Sequence, residues 1–206
     1  MDLVNSVFYG ADDAVGAFVR GRLRNGVLPE FDLPYGPDGT RLFVGLGIVK
    51  KDILIGGVLF HNLHTFRGKP VCIEVSIACD SPRWATKQTL RQLFAYPFVQ
   101  LGCATLIARI RKSNKRSRKL CEGPRIRKSN KRSRKLYEGL GFEIVGKVPR
   151  GYDGKEDVMI YAMTSDKCRW IKENDCGKKF ANSASDARPI CHVASADGIE
   201  RKYSGC

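Results

Sequence analysis

Residues 109–123 read RIRKSNKRSRKLCEG and residues 125–139 read RIRKSNKRSRKLYEG, identical except for Cys121 against Tyr137 and separated by Pro124. The offset of 16 residues occurs once, whereas solenoid repeats recur several times and usually run about 20 residues or longer. The pair therefore reads as a local tandem duplication inside one domain. Each copy holds seven Lys or Arg and one Glu, and offers only Ile, Leu and one Cys or Tyr to a core. Two such segments cannot both supply core, so one is expected to be extruded as a solvated loop or short helix. Only the second copy runs on into Leu140-Gly141-Phe142. The native helix is therefore expected over 130–140, with the first copy leaving the domain near 113–128 and ending at Gly123-Pro124.

The duplication also bears on charge. The chain carries a formal net charge of +15, which points to nucleic acid at first sight, but one copy contributes +6 and without it +9 remains. Much of the basic character is one segment counted twice. No aromatic residue interleaves the basic blocks to stack on bases, so the run reads as a solvated face and nucleic acid is a disfavoured partner.

At 206 residues, with 43% hydrophobic and 28% charged residues, the chain can bury a core as one domain and is not disordered as a whole. No apolar run approaches the roughly 20 residues of a membrane helix. The start, Met1 to Gly10, lacks the basic cluster of a signal peptide, so a cytoplasmic location without membrane contact is expected. The eight cysteines form no CxxC pair. Cys191-His192 near Cys176 has the wrong spacing for zinc, and reduced thiols are the expected state.

Periodicity supplies the element order. Val4 to Tyr9 reads as a strand and Ala11 to Asn25 as a helix with Ala14, Val15, Phe18, Val19 and Leu23 on one face. Arg41–Val49 and Ile53–His61 read as strands joined at Lys51-Asp52, with Gly56-Gly57 marking a bulge or a close backbone approach. The strand Val71–Ala78, VCIEVSIA, embeds Glu74. Asp80-Ser81-Pro82 then reads as the start of a helix over Trp84–Gln100 that Pro97 kinks or ends. A strand at Cys103–Ile110, the helix carrying Tyr137, and strands at Phe142–Val148 and Asp157–Met163 complete the order. The expected domain spans 1–165. Residues 166–206 form a polar tail expected to be poorly ordered, with Cys168-Arg169-Trp170 as a candidate docking point.

With one copy removed, the region reads CATLIARIRKSNKRSRKLYEGLGFEIVGK, containing Asn130-x-x-Ser133-x-x-Leu136-Tyr137-Glu138-x-Leu140-Gly141-Phe142. Physically, this is a helix with Leu136 and Leu140 on its buried face, stopped by Gly141 where positive φ is needed, and followed by Phe142 entering a strand. The run resembles the motif of the GNAT superfamily of acyl-CoA N-acyltransferases, over about residues 3–165, and is similar to small bacterial and phage members. The resemblance implies an α/β fold: a GNAT-like mixed, mostly antiparallel central sheet, flanked by helices, with splayed central strands.

It also implies an N-acetyltransferase that uses acetyl-CoA as co-substrate and a primary amine of a small molecule or protein as acceptor. Tyr137 takes the role of the acid that protonates the coenzyme A sulfur. Glu74 is the candidate general base, with His61 and His64 as alternatives for base or substrate contact. The backbone of Val75, Ser76, Ile77 and Ala78 is implied to pair with the pantetheine arm, and Asn114 or Asn130, with Ser133, to add polar contacts. The pyrophosphate is implied at the N-terminus of the following helix, near Arg83, Trp84, Ala85, Thr86 and Lys87. The family's usual Gly-rich loop is absent there, and Trp84 stands where small residues are customary. Acceptor contacts are implied around Gly26–Thr40 and Arg150–Lys155. A homodimer remains open. The alternatives are a GNAT-fold binding module with weak or no catalysis and a basic nucleic-acid-binding protein.

Overall fold

The computed structural model describes residues 5–23, 33–111, 126–151 and 154–171. Its centre is a seven-stranded sheet in the order β1-β2-β3-β4-β5-β7-β6, comprising β1 (Ser6–Phe8), β2 (Phe43–Lys50), β3 (Ile53–Phe66), β4 (Lys69–Cys79), β5 (Thr105–Arg111), β6 (Glu143–Val148) and β7 (Val158–Thr164). Every neighbouring pair is antiparallel except β4 and β5. The sheet is therefore mixed and mostly antiparallel, as the resemblance implies. No described helix is long and apolar enough to cross a membrane.

Strand alternation divides the core. On β3, Val58 and Phe60 face one side, where they join α2 (Lys87–Ala95) and α3 (Ile126–Leu140) through Leu90, Leu93, Phe94 and Leu140. Leu59 faces the other side and joins Val15, Phe18 and Val19 of α1 (Asp12–Arg22). The buried ion pair between Asp12 and Arg41 fastens α1 to the sheet, and Asp12 also accepts the Gly45 amide at 2.8 Å.

The β2–β3 connection is the expected two-residue turn, with Lys51 and Asp52 at φ 52° and 59° matching the twist of the flanking strands. The register shifts between Ile48 and Val49 opposite Ile55, beside Gly56, and a Cβ on Gly57 would stand 2.7 Å from Val19. Both the bulge and the close approach are thus present. β3 runs five residues beyond the expected end and returns through a second tight turn, Arg67-Gly68, at φ 50° and 74°. This hairpin tip is held by main-chain pairing: Thr65 and Phe66 are exposed, so no apolar alternation marks it.

The segment after β4 corrects the expected helix over Trp84–Gln100. Ser81 caps only a 3-10 turn at Pro82–Trp84, accepting the Arg83 amide at 3.3 Å. Thr86 then caps α2, its hydroxyl accepting the Thr89 amide at 3.2 Å. The α-helix ends at Ala95, and Tyr96–Gln100 continue as a π turn around Pro97, which cannot donate an amide.

The duplicated sequence takes two conformations. Arg109-Ile110-Arg111 of the first copy end β5, whereas Ile126 and Arg127 of the second copy open α3. Identical residues become strand or helix according to their neighbours, because tertiary context outweighs propensities of less than about 1 kcal/mol. The second copy forms the helix, which begins four residues before the expected start. Residues 112–125 lie outside the described residues, and with them the expected course of the first copy.

α3 stops at Gly141 (φ 105°), with the Gly141 and Phe142 amides returning to the Tyr137 carbonyl at 3.2 and 3.0 Å. Its last carbonyls are capped from the C-terminal segment: Trp170 Nε1 donates to Leu140 O at 2.7 Å and the Arg169 guanidinium to Gly139 O. Residues 166–171, assigned by sequence to the tail, thus dock on the domain. Residues 172–206 lie outside the described residues.

Candidate active site

The parallel pairing of β4 with β5 covers only Cys72–Thr105, Ile73–Leu106 and Glu74–Ile107. Beyond it β4 runs on to Cys79, while β5 stays with β7 as far as the Arg111–Val158 pair. The two central strands therefore splay. Among the described residues no strand pairs with this edge of β4 beyond Glu74, which leaves peptide groups in need of partners.

Tyr137 of α3 reaches into that opening. Its ring is buried edge-on against Phe142, with centroids 5.1 Å apart, and its hydroxyl lies 3.5 Å from the Val75 carbonyl oxygen. Burial pushes the Tyr137 phenol well above its ordinary value, and a hydrogen bond with the Ile77 backbone acts against this. The side chain is therefore protonated at neutral pH. Since alternate residues of a strand turn their peptide groups to opposite edges, Val75 and Ile77 address the opening, while Ser76 and Ala78 address β3.

α3 is pinned so that this placement holds. The buried Tyr161 hydroxyl accepts from Arg134 Nε at 3.1 Å and lies 3.3 Å from Glu138 Oε1, to which it donates. Arg134 and Glu138 flank Tyr137 on the helix, so β7 holds the turn that carries it. Ser133 sits half-buried one turn earlier. Position 130 lies within α3, its side chain outside the description, and Asn114 lies outside the described residues.

The opposite face of β4 is polar. Glu74 is partly buried and pairs across the ladder with His61, whose Nε2 is 3.0 Å from Ser76 Oγ. The Arg109 guanidinium stands 4.0 Å from Glu74. Burial first, and the Arg109 charge second, lower the His61 pKa from 6.5 to about 4. A neutral imidazole of that basicity is a poor proton acceptor for an ammonium group. His64 is exposed beyond a bulge that contains Asn62 at φ 51°, and pairs with Cys72.

The turn between β4 and α2 is clamped from β1's side: Asn5 Nδ2 donates to the Arg83 and Trp84 carbonyls at 3.0 and 3.2 Å. The Trp84 side chain is buried among Val75, Ile77 and Leu90, and its carbonyl also accepts the Thr86 amide at 2.9 Å. Arg83, Ala85, Thr86 and Lys87 are exposed around the first turn of α2. Arg22 grips Asp80 through two 2.6 Å contacts at the same corner. The loops implied for acceptor contact are described only in part, since 24–32 and 152–153 lie outside the described residues.

Sequence reasoning missed Arg109, Tyr161, Arg134, Glu138 and Asn5. Arg109 was detectable: it lies two residues beyond Ile107, on the strand face that carries Glu74, but was submerged in the charge run. Asn5 and Tyr161 act across 78 and 23 residues of separation, which no local pattern reveals.

No protein-family model matches the chain, and no curated protein matches it. Solved structures do. A variant of the spermidine N-acetyltransferase of Vibrio cholerae is 16% identical, with a TM-score of 0.53 over 82% of this chain and 98% of that one. A chimera built on that Vibrio cholerae enzyme is 14% identical, with a TM-score of 0.54 over 79% and 96%. A ribosomal-protein-S5-alanine acetyltransferase from Vibrio fischeri is 18% identical, with a TM-score of 0.44 over 64% and 65%. The chain spans a little under two thirds of that enzyme and of two other matched acetyltransferases, 63% and 66%. At these identities the likeness is one of architecture, and the architecture is the GNAT fold.

Proposed function

We propose that this protein is an N-acyltransferase that moves an acetyl group from acetyl-CoA to a primary amine. The observation that carries the reading is the Tyr137 hydroxyl at the open edge of β4, with Glu74 on the other face of the same strand. The residues fit a pantetheine arm. The Val75 carbonyl and the Ile77 backbone, which the Tyr137 hydroxyl contacts in this structure, face the splay, where an amide-bearing chain would pair with them in its place as a missing strand does. Arg83, Lys87 and the first turn of α2 would hold the pyrophosphate, by charge and by free helix amides. The acetyltransferases of matching fold support this choice of acyl donor.

The thioester supplies an activated acyl carbon and a thiol leaving group. Glu74 takes a proton from the incoming ammonium, directly or through a water, so that the neutral nitrogen can attack the acyl carbon. The C–N bond forms, the C–S bond breaks, and Tyr137 gives its proton to the departing thiolate. Solvent restores the phenol and accepts both the proton held by Glu74 and the remaining amine proton. Arg134, Glu138 and Tyr161 touch no reacting atom; they hold the turn that carries Tyr137.

The test is release of free CoA thiol from acetyl-CoA by the full chain across a panel of primary amines. Amine-dependent release is expected. Acetyl-CoA binding without release under any amine would make the protein a binding module of the same fold.

A further inference from the structure

The sheet face that carries the Glu74 carboxylate on β4 also carries the Arg109 guanidinium on β5, and their exposures differ. Glu74 is 15% exposed and Arg109 42%, so an incoming amine meets the cation first. The arrangement follows from the splay: Glu74 and Ile107 are paired, and Arg109, two residues on, shares their face while its strand diverges from β4.

Arg109 is weakly engaged among the described residues. Its contact with Glu74 is 4.0 Å, longer than a hydrogen bond. Arg111, on the same face, is gripped by both oxygens of Glu156, with Nη2 2.6 Å from Oε1. The Arg109 fork therefore retains donors suited to a planar, two-oxygen anion. The same charge opposes any further cation nearby, as its effect on His61 illustrates. A polyamine would bring several cations to this face with no anion to offset Arg109.

We infer that the acceptor is an amino acid or similar zwitterion, its carboxylate bound by Arg109 and its ammonium by Glu74. This rests on the acyltransferase reading and deepens it. Arg109 is then the residue that sets acceptor specificity, and the acceptor differs in class from spermidine.

The experiment has two arms. In one, the common L-amino acids, their carboxamides and spermidine are compared as acceptors by CoA thiol release. In the other, direct binding of the same compounds to the full chain is measured by calorimetry without acetyl-CoA. At least one acid is expected to exceed both its carboxamide and spermidine by tenfold or more in kcat/KM, on the order of the contribution of one charge-assisted bond. Arg109→Gln should erase that ratio, and Arg109→Lys should restore part of it. Both variants lie at a partly exposed strand position, and a thermal melt checks that they fold. Equal use of acid and carboxamide, preference for spermidine, or an unchanged ratio in Arg109→Gln overturns the inference while leaving the acyltransferase standing. Arg109-dependent binding of an acid without thiol release leaves Arg109 as a carboxylate site but overturns the acceptor assignment together with the acyltransferase reading. Absence of both binding and turnover with every acid overturns it.

Discussion

The Tyr137 hydroxyl stands 3.5 Å from the Val75 carbonyl oxygen, at the point where β4 leaves β5. One side chain thereby links the helix of the second repeat copy to the only parallel junction among the described residues of the sheet. Its ring is fixed by Phe142, its turn by Tyr161, and the hydroxyl alone addresses the opening.

Tyr137→Phe keeps that packing and removes the proton. Turnover is expected to fall by about 10² or more, within the usual range for general acid catalysis, with little change in acetyl-CoA affinity. Steady-state kinetics alongside calorimetry check this. Unchanged turnover would remove Tyr137 from the chemistry.

Glu74→Gln preserves shape and abolishes the base. We expect kcat/KM to drop by about 10² at neutral pH and to recover as pH rises, because the free amine then forms without assistance. A pH–rate profile parallel to that of the wild type would exclude the role.

His61 ties stability to pH. Its pKa is about 4 in the fold against an ordinary 6.5, so the unfolded chain takes up the proton first. The contribution is fully present above about pH 6.5 and is lost as pH falls toward 4, amounting to roughly 3 kcal/mol. Urea titrations of His61→Asn should show a flatter dependence across this window. An unaltered slope would mean that the imidazole is not held neutral by the fold.

The repeat offers a fourth test. Deleting residues 109–124 joins Ala108 to Arg125, so that one RIR triplet must serve β5 and α3 begins later. Since shortening a connection changes closure entropy only slowly, the deletion variant should fold with a melting temperature near or above that of the full chain. A collapse of the melting transition would show that the first copy is needed by the fold.

What could be read from the sequence followed from where the chemistry is local. The stop at Gly141 and the turn at Lys51-Asp52 need particular backbone angles, and their residues advertise them. The Arg67-Gly68 hairpin escaped because its flanks are solvent-facing and carry no alternation. Thr86 lost the cap to Asp80-Ser81-Pro82 in the sequence reading because a 3-10 turn and an α-helix begin with the same signals. Trp84 looked misplaced beside a phosphate site, yet its side chain belongs to the core and only its backbone faces the turn. The Glu74–Arg109 juxtaposition depends on the divergence of two strands, which is a property of the sheet.

Calorimetric titration of the full chain with acetyl-CoA, repeated with free CoA, tests the account most directly. The open edge of β4 and the exposed Arg83 and Lys87 predict saturable binding of both, because both carry the pantetheine arm and the phosphates. No heat at high micromolar ligand, with the protein folded by its thermal melt, would contradict the proposed cofactor site and the acyltransferase with it.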